Sequence, residues 1–241
     1  MEKIAIVTGG TRGIGAAIAI GLKNKGYKVA ANYAGNDAAA QEFSEANDIP
    51  VFKFDVSDFE QCEAGVKQVS EQLGGPVSVL VNNAGITRDG TLHRMKQENW
   101  QAVMDTNLGS CFNMSRCVID SMRENSFGRI VNIGSVNGQA GQYGQVNYAA
   151  AKSGIHGFTK ALAQEGAAKG ITVNAIAPGY VETDMVRAVP ENVLEKIVAG
   201  IPVGRLGQAE DISRCVEFLV ADDAGFITGS TISVNGGQHM Y

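Results

Sequence analysis

The chain has 241 residues, of which 44% are hydrophobic and 19% charged, so it suits one large packed α/β domain and excludes a disordered chain. Its net charge of −5 argues against a nucleic-acid partner, because proteins that bind the phosphate backbone usually carry a basic face. No apolar stretch approaches the ~20 residues that span a membrane, and the start of the chain shows no signal-peptide pattern.

Short apolar β-branched runs alternate with longer helical patterns along the chain. Strands are predicted at residues 4–7, 28–32, 51–54, 77–81, 129–133, 171–176 and 231–234. Helices are predicted near residues 14–25, 38–45, 59–73, 97–124, 148–168, 193–199 and 209–220. Strands that are apolar on both faces and separated by helices indicate a parallel sheet covered on both sides. We therefore predict a single domain, 1–241, with a Rossmann-type doubly wound α/β fold and a parallel seven-stranded sheet.

The turn between the first strand and the first helix, residues 8–15, is rich in glycine. Glycines there allow a sharp turn, close approach of a phosphate and tight packing of helix on strand. The helix N-terminus then offers free N–H groups to a pyrophosphate. A purely structural turn is the alternative. The predicted cradle consists of Gly9, Thr11, Arg12, Gly13, Ile14 and Gly15.

The tip of the second strand, Asn32-Tyr33, carries no acid. A carboxylate at this place would accept hydrogen bonds from the adenosine ribose and repel a 2′-phosphate. Arg12 can instead pair with that phosphate, unless it is simply an exposed loop charge. We therefore predict NADPH as the cofactor. Asp55 and Val56, after the third strand, are placed to meet the adenine, although Asp55 equally suits a cap for the next helix.

Residues 82–85, Asn-Asn-Ala-Gly, end the fourth strand at the same edge of the sheet. Small residues there admit a nicotinamide ribose, and the amides can hold neighbouring strands together; a tight turn is the alternative. The predicted cofactor contacts in this segment are Asn83, Ala84, Gly85 and Ile86. Asn107 lies inside the predicted helix 97–124, where a buried amide usually bonds the backbone.

Tyr148 and Lys152 are four residues apart in a predicted helix and therefore share one face. A phenol has a pKa of about 10, and an ammonium one turn away favours the phenolate, so we expect a lowered pKa for Tyr148. Ser135 ends the fifth strand beside this helix. The alternative for Tyr148 and Lys152 is an ordinary solvated pair on a helix, and the alternative for Ser135 is a simple turn or cap at the strand end. A Ser–His–acid hydrolase is excluded, because no Gly-x-Ser-x-Gly elbow surrounds Ser135.

The cysteines and histidines indicate neither disulfides nor a metal site. The four cysteines include no Cys-x-x-Cys pair, and the three histidines are scattered along the chain. We therefore expect buried reduced thiols in a cytoplasmic protein without a metal.

Taken together, these motifs resemble those of the short-chain dehydrogenase/reductase family, in the family's order and spacing over essentially the whole chain. The resemblance implies that Ser135 steadies the substrate carbonyl oxygen and that Tyr148 donates the proton. Lys152 would hold the nicotinamide ribose hydroxyls, and Asn107 would anchor a water of the proton relay. It also implies a homotetramer built partly from helices 97–124 and 148–168, and cofactor contacts from Pro178, Gly179 and Thr183.

Within that family the chain is similar to the acetoacetyl-CoA reductases of polyhydroxybutyrate synthesis, on residues 83–89, 135–139, 141–148 and 235–240. This likeness implies NADPH-dependent reduction of acetoacetyl-CoA to (R)-3-hydroxybutanoyl-CoA. Residues 180–202 are predicted to form a substrate lid, for which a plain connector is the alternative. The implied acyl-CoA pocket consists of Asp89, Ser135, Gln142, Tyr143, Gln145, Tyr148 and Tyr180, although a polar surface loop also suits the glutamines.

Two other functions remain open. The 3-oxoacyl-[acyl-carrier-protein] reductases perform the same chemistry on another carrier, and Arg129 stands at a position associated there with carrier docking. Lys169 stands where a second arginine is typical, and lysine lacks the planar fork of arginine, which favours CoA. The other alternative is an NADP(H)-sensing binding protein without turnover, against which the complete set of Asn107, Ser135, Tyr148 and Lys152 argues.

Overall fold

The structure, a computed structural model, describes residues 3–183, 186 and 191–240. Seven parallel strands form one sheet in the order β3-β2-β1-β4-β5-β6-β7, which confirms the predicted fold. The strands are β1 (Ile4–Val7), β2 (Lys28–Tyr33), β3 (Val51–Lys53), β4 (Val77–Asn82), β5 (Gly128–Ile133), β6 (Ile171–Pro178) and β7 (Thr231–Val234).

The helices agree with the predicted pattern apart from two features. They are α1 (Gly13–Asn24), α2 (Asp37–Asn47), α3 (Phe59–Leu73), α4 (Gln97–Met104), α5 (Ser110–Glu124), α6 (Val136–Ala140), α7 (Val146–Ala167), α8 (Glu191–Ala199) and α9 (Ala209–Val220). The short helix α6 was not predicted. The predicted helix 97–124 is interrupted by a π-helical turn, Asp105–Gly109. In the described part of the chain, no helix combines the length and the apolarity needed to cross a membrane.

Two apolar layers enclose the sheet, as strands buried on both faces require. On one face α1 and α9 contribute residues such as Ile18, Leu22 and Ile212. On the other face α3 and α5 contribute residues such as Val66 and Met114. The layers bury β1, β5 and β6 along their whole length, so polar groups of the central sheet that can reach a ligand lie at the strand ends.

The strand order reverses between β1 and β4, and this is where the glycine-rich turn lies. β1 pairs with β2 on one side and with β4 on the other. Chain connections that leave to opposite sides open a crevice at the carboxyl ends of such strands. The fold therefore places the turn after β1, the tip of β4 and the end of β5 around one crevice.

The predicted lid, 180–202, is described in part. Residues 184–185 and 187–190 lie outside the described residues. Before them, Val181 forms a parallel bridge with Gly207, and after them α8 runs without a fully buried residue. The C-terminal segment supports the start of this region, because the Gln238 side-chain oxygen accepts a hydrogen bond from the Tyr180 N–H at 2.9 Å.

Candidate active site

A cavity of about 590 Å³ opens at the carboxyl edge of the sheet. Every residue predicted to contact the cofactor lines it, from Gly9 in the first turn to Thr183 before the gap in the described residues. We call the glycine-rich turn after β1, residues 8–15, the phosphate loop. The wall of the cavity is completed by the tips of β2 and β4, the end of β5 and the start of α7. The cavity has the size and the position of a dinucleotide site in a doubly wound sheet.

The phosphate loop presents an open helix N-terminus to this cavity. Arg12 is the N-cap residue of α1, and it makes no side-chain capping hydrogen bond within the described residues. Gly9 and Gly13 adopt positive φ angles of 60° and 51°, which favour glycine. A Cβ on Gly15 would overlap the carbonyl oxygen of Gly9, so helix and loop pack too closely for a side chain. The free N–H groups therefore suit the pyrophosphate of a dinucleotide.

Two side-chain amides, of the buried Asn32 and the partly buried Asn83, hold this loop in place. Asn32 at the tip of β2 accepts a hydrogen bond from the Gly9 N–H at 3.2 Å and donates one to the Phe54 carbonyl at 2.8 Å. Asn83 at the end of β4 donates to the Thr8 carbonyl at 2.9 Å. These bonds show the strand-fixing role that was expected of the amides near residue 83. Asn32 and Asn83 also line the cavity, but their side chains are largely occupied by the fold.

The structure excludes one of the two interpretations of Asp55, that of a helix cap. Asp58, and not Asp55, is the N-cap of α3, because its carboxylate accepts a hydrogen bond from the Gln61 N–H at 3.0 Å. Asp55 instead accepts two bonds from Ser57, from its N–H at 2.9 Å and its hydroxyl at 2.7 Å. Asp55 and Val56 both line the cavity. The carboxylate of Asp55 thus shapes the turn at this edge of the cavity, and its contact with an adenine stays a prediction.

Ser135, Tyr148 and Lys152 converge on the same wall of the cavity. Ser135 follows β5 and caps α6, its hydroxyl oxygen accepting a hydrogen bond from the Asn137 N–H at 3.1 Å. Tyr148 and Lys152 share one side of α7, with the ammonium nitrogen 5.8 Å from the centre of the phenol ring. Lys152 is buried and donates a hydrogen bond to the Ile133 carbonyl at 2.7 Å. The fold therefore brings two hydroxyls and an ammonium, from the end of β5 and the start of α7, together on one cavity wall.

The expected lowering of the Tyr148 pKa by Lys152 is wrong for this structure. Burial is the largest effect and raises the pKa of Tyr148 above its ordinary value. Two smaller effects oppose each other: interaction with Ser135 lowers this pKa, and the charge of Asp89 raises it. Burial also lowers the pKa of Lys152 to about 8. Desolvation penalises the charged form of each group, and here it outweighs their proximity. Tyr148 consequently holds its proton at neutral pH.

Asn107 stands behind the wall and fixes the segment that follows β4. It lies in the π-helical turn between α4 and α5, a kind of turn that is common at functional sites. Its buried amide accepts a hydrogen bond from the Ile86 N–H at 2.8 Å and donates to the Ile86 carbonyl at 3.0 Å. The prediction that the Asn107 side chain hydrogen bonds to the backbone is thus confirmed. The role of Asn107 in anchoring a relay water stays a prediction.

The predicted substrate residues separate into two groups. Gln145 and Tyr180 line the cavity together with Ser135 and Tyr148. Among the described residues that form the wall, Asp89, Gln142 and Tyr143 are absent. Gly141 and Gly144, with φ angles of 75° and 79°, turn this loop outward, and Tyr143 is 88% exposed. Gln142 and Tyr143 thus lie on a loop outside the cavity wall, and their contact with an acyl-CoA stays a prediction. Asp89 is connected to the wall by a hydrogen bond that the Gln145 amide donates to its carboxylate.

Further residues of the wall were not predicted. Most of them directly precede or follow a predicted site residue in the sequence, so extending each predicted segment by a few residues would have included them. Asn137 lies in the unpredicted helix α6, and its signal was the Ser-x-Asn sequence at a helix start. The additional residues are Ala34, Gly35, Asn36, Ala39, Phe54, Thr87, Thr106, Ile133, Gly134, Val136, Asn137, Val181 and Val186.

Arg129 is not available to a carrier protein. Its guanidinium is buried against the Phe127 ring, 4.4 Å from the ring centre. It donates to the carbonyl of Gly128 at 2.9 Å and to that of Gly170 at 3.2 Å. Burial lowers the pKa of this arginine. The suggestion that Arg129 docks a carrier is therefore wrong, because the side chain holds the opposite end of the sheet together.

The described residues contain no group of three or more metal-ligating side chains. The four cysteines are free thiols, with Cys62 and Cys111 buried and Cys117 and Cys215 partly buried. Burial raises the pKa of each, to about 12 for Cys62 and about 11 for the others. A high thiol pKa leaves little thiolate at neutral pH, so the site's chemistry depends on oxygen and nitrogen groups.

Comparison with known proteins agrees with this geometry. Residues 9–239 match a family model described as "Enoyl-(Acyl carrier protein) reductase". The chain is 63% identical over 241 residues to an acetoacetyl-CoA reductase of Rhizobium meliloti, covering 100% of both chains. It is 63% identical over 239 residues to that of Shinella zoogloeoides, covering 99% of each. A 3-oxoacyl-[acyl-carrier-protein] reductase of Haemophilus influenzae is 47% identical over 241 residues, covering 99% of this chain and 98% of that one.

Proposed function

The chain belongs to the short-chain dehydrogenase/reductase family, and on this premise we propose that it reduces acetoacetyl-CoA to (R)-3-hydroxybutanoyl-CoA with NADPH. One observation carries the proposal: Ser135, Tyr148 and Lys152 meet on the wall of a cavity that also contains an uncapped helix N-terminus. A binding protein without turnover has no need of this arrangement. The product is a precursor of polyhydroxybutyrate, to whose synthesis we assign the protein.

The chemistry follows from the protonation states of the site. A bound reduced nicotinamide supplies the hydride. As a carbonyl is reduced, negative charge grows on its oxygen, and positioned hydroxyl donors stabilise that charge. Burial keeps the proton on Tyr148, which is the state that a proton donor needs. Ser135 and Tyr148 line the same cavity and their hydroxyls interact, so a bound substrate can replace that interaction and receive one O–H donor from each on its carbonyl oxygen.

CoA is favoured over a carrier protein as the thioester carrier. Carrier-protein docking requires exposed cations, whereas the Arg129 guanidinium is buried and bonded to backbone carbonyls. The 63% identity to the acetoacetyl-CoA reductase of Rhizobium meliloti exceeds the 47% identity to the carrier-protein reductase of Haemophilus influenzae.

Kinetics with matched substrates test this choice. We expect kcat/KM for acetoacetyl-CoA to exceed that for the acetoacetyl thioester of an acyl-carrier protein by at least about tenfold, which is ~1.4 kcal/mol of transition-state binding. Longer 3-oxoacyl-CoA substrates in the same series define the chain-length range. A clear preference for the carrier-protein substrate would reverse the assignment. Binding of NADPH without reduction of any thioester would favour the sensor.

NADPH specificity is supported by the tip of β2. The wall there carries Asn32 and Tyr33, and the carboxylate of Asp37 beyond them is paired with Lys53 at 2.9 Å. Arg12 lies in the loop that hydrogen bonds to Asn32, and from there it can offer a guanidinium to the 2′-phosphate.

The Arg12→Ala variant should therefore raise KM for NADPH by about tenfold or more, with KM for NADH nearly unchanged. Loss of a charge-assisted phosphate contact accounts for this difference. Steady-state kinetics with both cofactors measure it, with Lys67→Ala as a control that removes an exposed cation outside the described cavity wall. Equal losses for the two cofactors would remove Arg12 from phosphate recognition.

We also propose a cytoplasmic homotetramer. Support comes from α5, where Phe112 is 56% exposed and stacks on Phe59 of α3, with ring centres 6.2 Å apart. An exposed aromatic pair suits a subunit interface. Light scattering that gives a monomer mass would reject the tetramer.

A further inference from the structure

A line of side-chain hydrogen bonds crosses the mouth of the cavity and begins at the catalytic serine. The hydroxyl oxygen of Ser135 accepts the Asn137 backbone N–H at 3.1 Å. The Asn137 side-chain amide then donates to the Gln145 side-chain oxygen at 2.9 Å. Gln145 in turn donates to the Asp89 carboxylate at 2.8 Å. The line thus joins the end of β5, α6, the N-cap of α7 and the segment after β4.

These contacts determine which way the Gln145 amide faces. A carboxylate can only accept hydrogen bonds, so Asp89 selects the nitrogen of Gln145. The Asn137 side-chain amide donates a hydrogen bond to the Gln145 side-chain oxygen, which requires the same orientation of the Gln145 amide. With both bonds made, the amide still has one N–H and one oxygen lone pair to offer a ligand. Gln145 lines the cavity, so these groups are available to the substrate.

Asn137 itself is held firmly. It lies in the first turn of α6, which Ser135 caps. The next residue, Gly138, packs so closely on α7 that a Cβ there would lie 2.8 Å from the Cβ of Lys152. The Ser153 hydroxyl also donates to the Gly138 carbonyl. The position of the Asn137 amide is therefore set relative to Lys152 and Ser135.

We propose that Asn137 is a positioning residue for the thioester, acting through Gln145. The inference rests on the proposed function, and it assigns to Asn137 the orientation of the Gln145 amide toward the substrate. Asn137 contacts Ser135 through its backbone N–H, which every substitution except proline retains. Its side chain should therefore affect substrate binding and leave the proton-transfer step almost unchanged.

The test uses Asn137→Ala and the near-isosteric Asn137→Asp in the full-length enzyme. We expect KM for acetoacetyl-CoA to rise about tenfold, the effect of one lost hydrogen bond to a polar group, and more in Asn137→Asp, where two carboxylates flank Gln145. The kcat should stay within about threefold and KM for NADPH should not change. Gln139→Ala is the matched control, because it removes a hydrogen bond from α6 to Ser233 without contacting Gln145.

A second variant separates positioning from mere stability. Asn137→Asp combined with Asp89→Asn reverses the donors and acceptors around Gln145, so the amide can turn over and regain both bonds. Thermal stability should then return to the wild-type value while KM stays raised. Recovery of KM along with stability would overturn the inference, as would an equal rise of KM in Gln139→Ala.

The outcome for the wild-type enzyme distinguishes the two proposals. A wild-type protein that does not reduce acetoacetyl-CoA rejects the proposed function and the role of Asn137 with it. An active wild-type enzyme whose Asn137 variants keep the wild-type KM rejects the role of Asn137 alone.

Discussion

Replacing Tyr148 by phenylalanine should lower kcat by about 10³-fold or more, within the range for loss of a general acid. The variant loses the hydroxyl that bonds with Ser135, while the ring still packs beside Lys152. Affinity for NADPH should stay near the wild-type value, because the phosphate loop is untouched. Single-turnover reduction of acetoacetyl-CoA and fluorescence titration with NADPH measure the two quantities.

Tyr143→Phe is the control for this variant. Tyr143 is 88% exposed, so removal of its hydroxyl should leave kcat within about twofold. Near-normal turnover in Tyr148→Phe would show that another group donates the proton. A large loss of NADPH affinity would show that the phenol acts mainly in binding.

Lys152→Met should lower kcat/KM by about 10²-fold or more and raise KM for NADPH. The ammonium is buried on the cavity wall, where the family resemblance assigns it to the nicotinamide ribose. Methionine keeps much of the length and packing of the side chain without the charge or the hydrogen bond to Ile133. Lys160→Met, exposed on the same helix, is the control and should keep activity.

The same variant should change how stability depends on pH. The folded-state pKa of Lys152, about 8, lies below the ordinary value of 10.5, because burial penalises the ammonium. Between these pH values the unfolded chain binds a proton that the folded protein has released, so stability rises with pH.

From pH 7 to pH 9.5, the free energy of unfolding of the wild type should gain about 2 kcal/mol relative to Lys152→Met. Urea unfolding of both proteins without cofactor at the two pH values measures the difference. A constant difference would mean that Lys152 keeps its ordinary pKa in the folded protein.

The buried position of Lys152 therefore has opposite effects on stability and function. At neutral pH the folded protein keeps a cation that burial disfavours, and one hydrogen bond to Ile133 offsets part of that cost. Retaining such a group at the wall of a cavity is characteristic of a functional site. This argues for an enzyme and against a protein that merely uses the fold.

Much of this protein was predictable because its signals are local. The seven strands follow from short β-branched runs, and the phosphate loop follows from glycines between a strand and a helix. Tyr148 and Lys152 lie on one side of α7 because helical geometry places residues four apart one above the other. Such features depend on neighbours in the sequence, so the sequence by itself determined the fold class, the glycine-rich turn at the cavity and the pairing of Tyr148 with Lys152.

Tertiary packing alone decided the energetics and the partners of the site. Arg129 looked available for docking until packing buried it beneath Phe127, and the pKa of Tyr148 rises because burial outweighs a neighbouring charge. The bonds of Asn107 to Ile86 and of Asn137 to Gln145 join segments whose contact no local pattern encodes. Desolvation and long-range hydrogen bonding depend on which segments the fold brings together, and these interactions exist only once the chain has closed around the sheet.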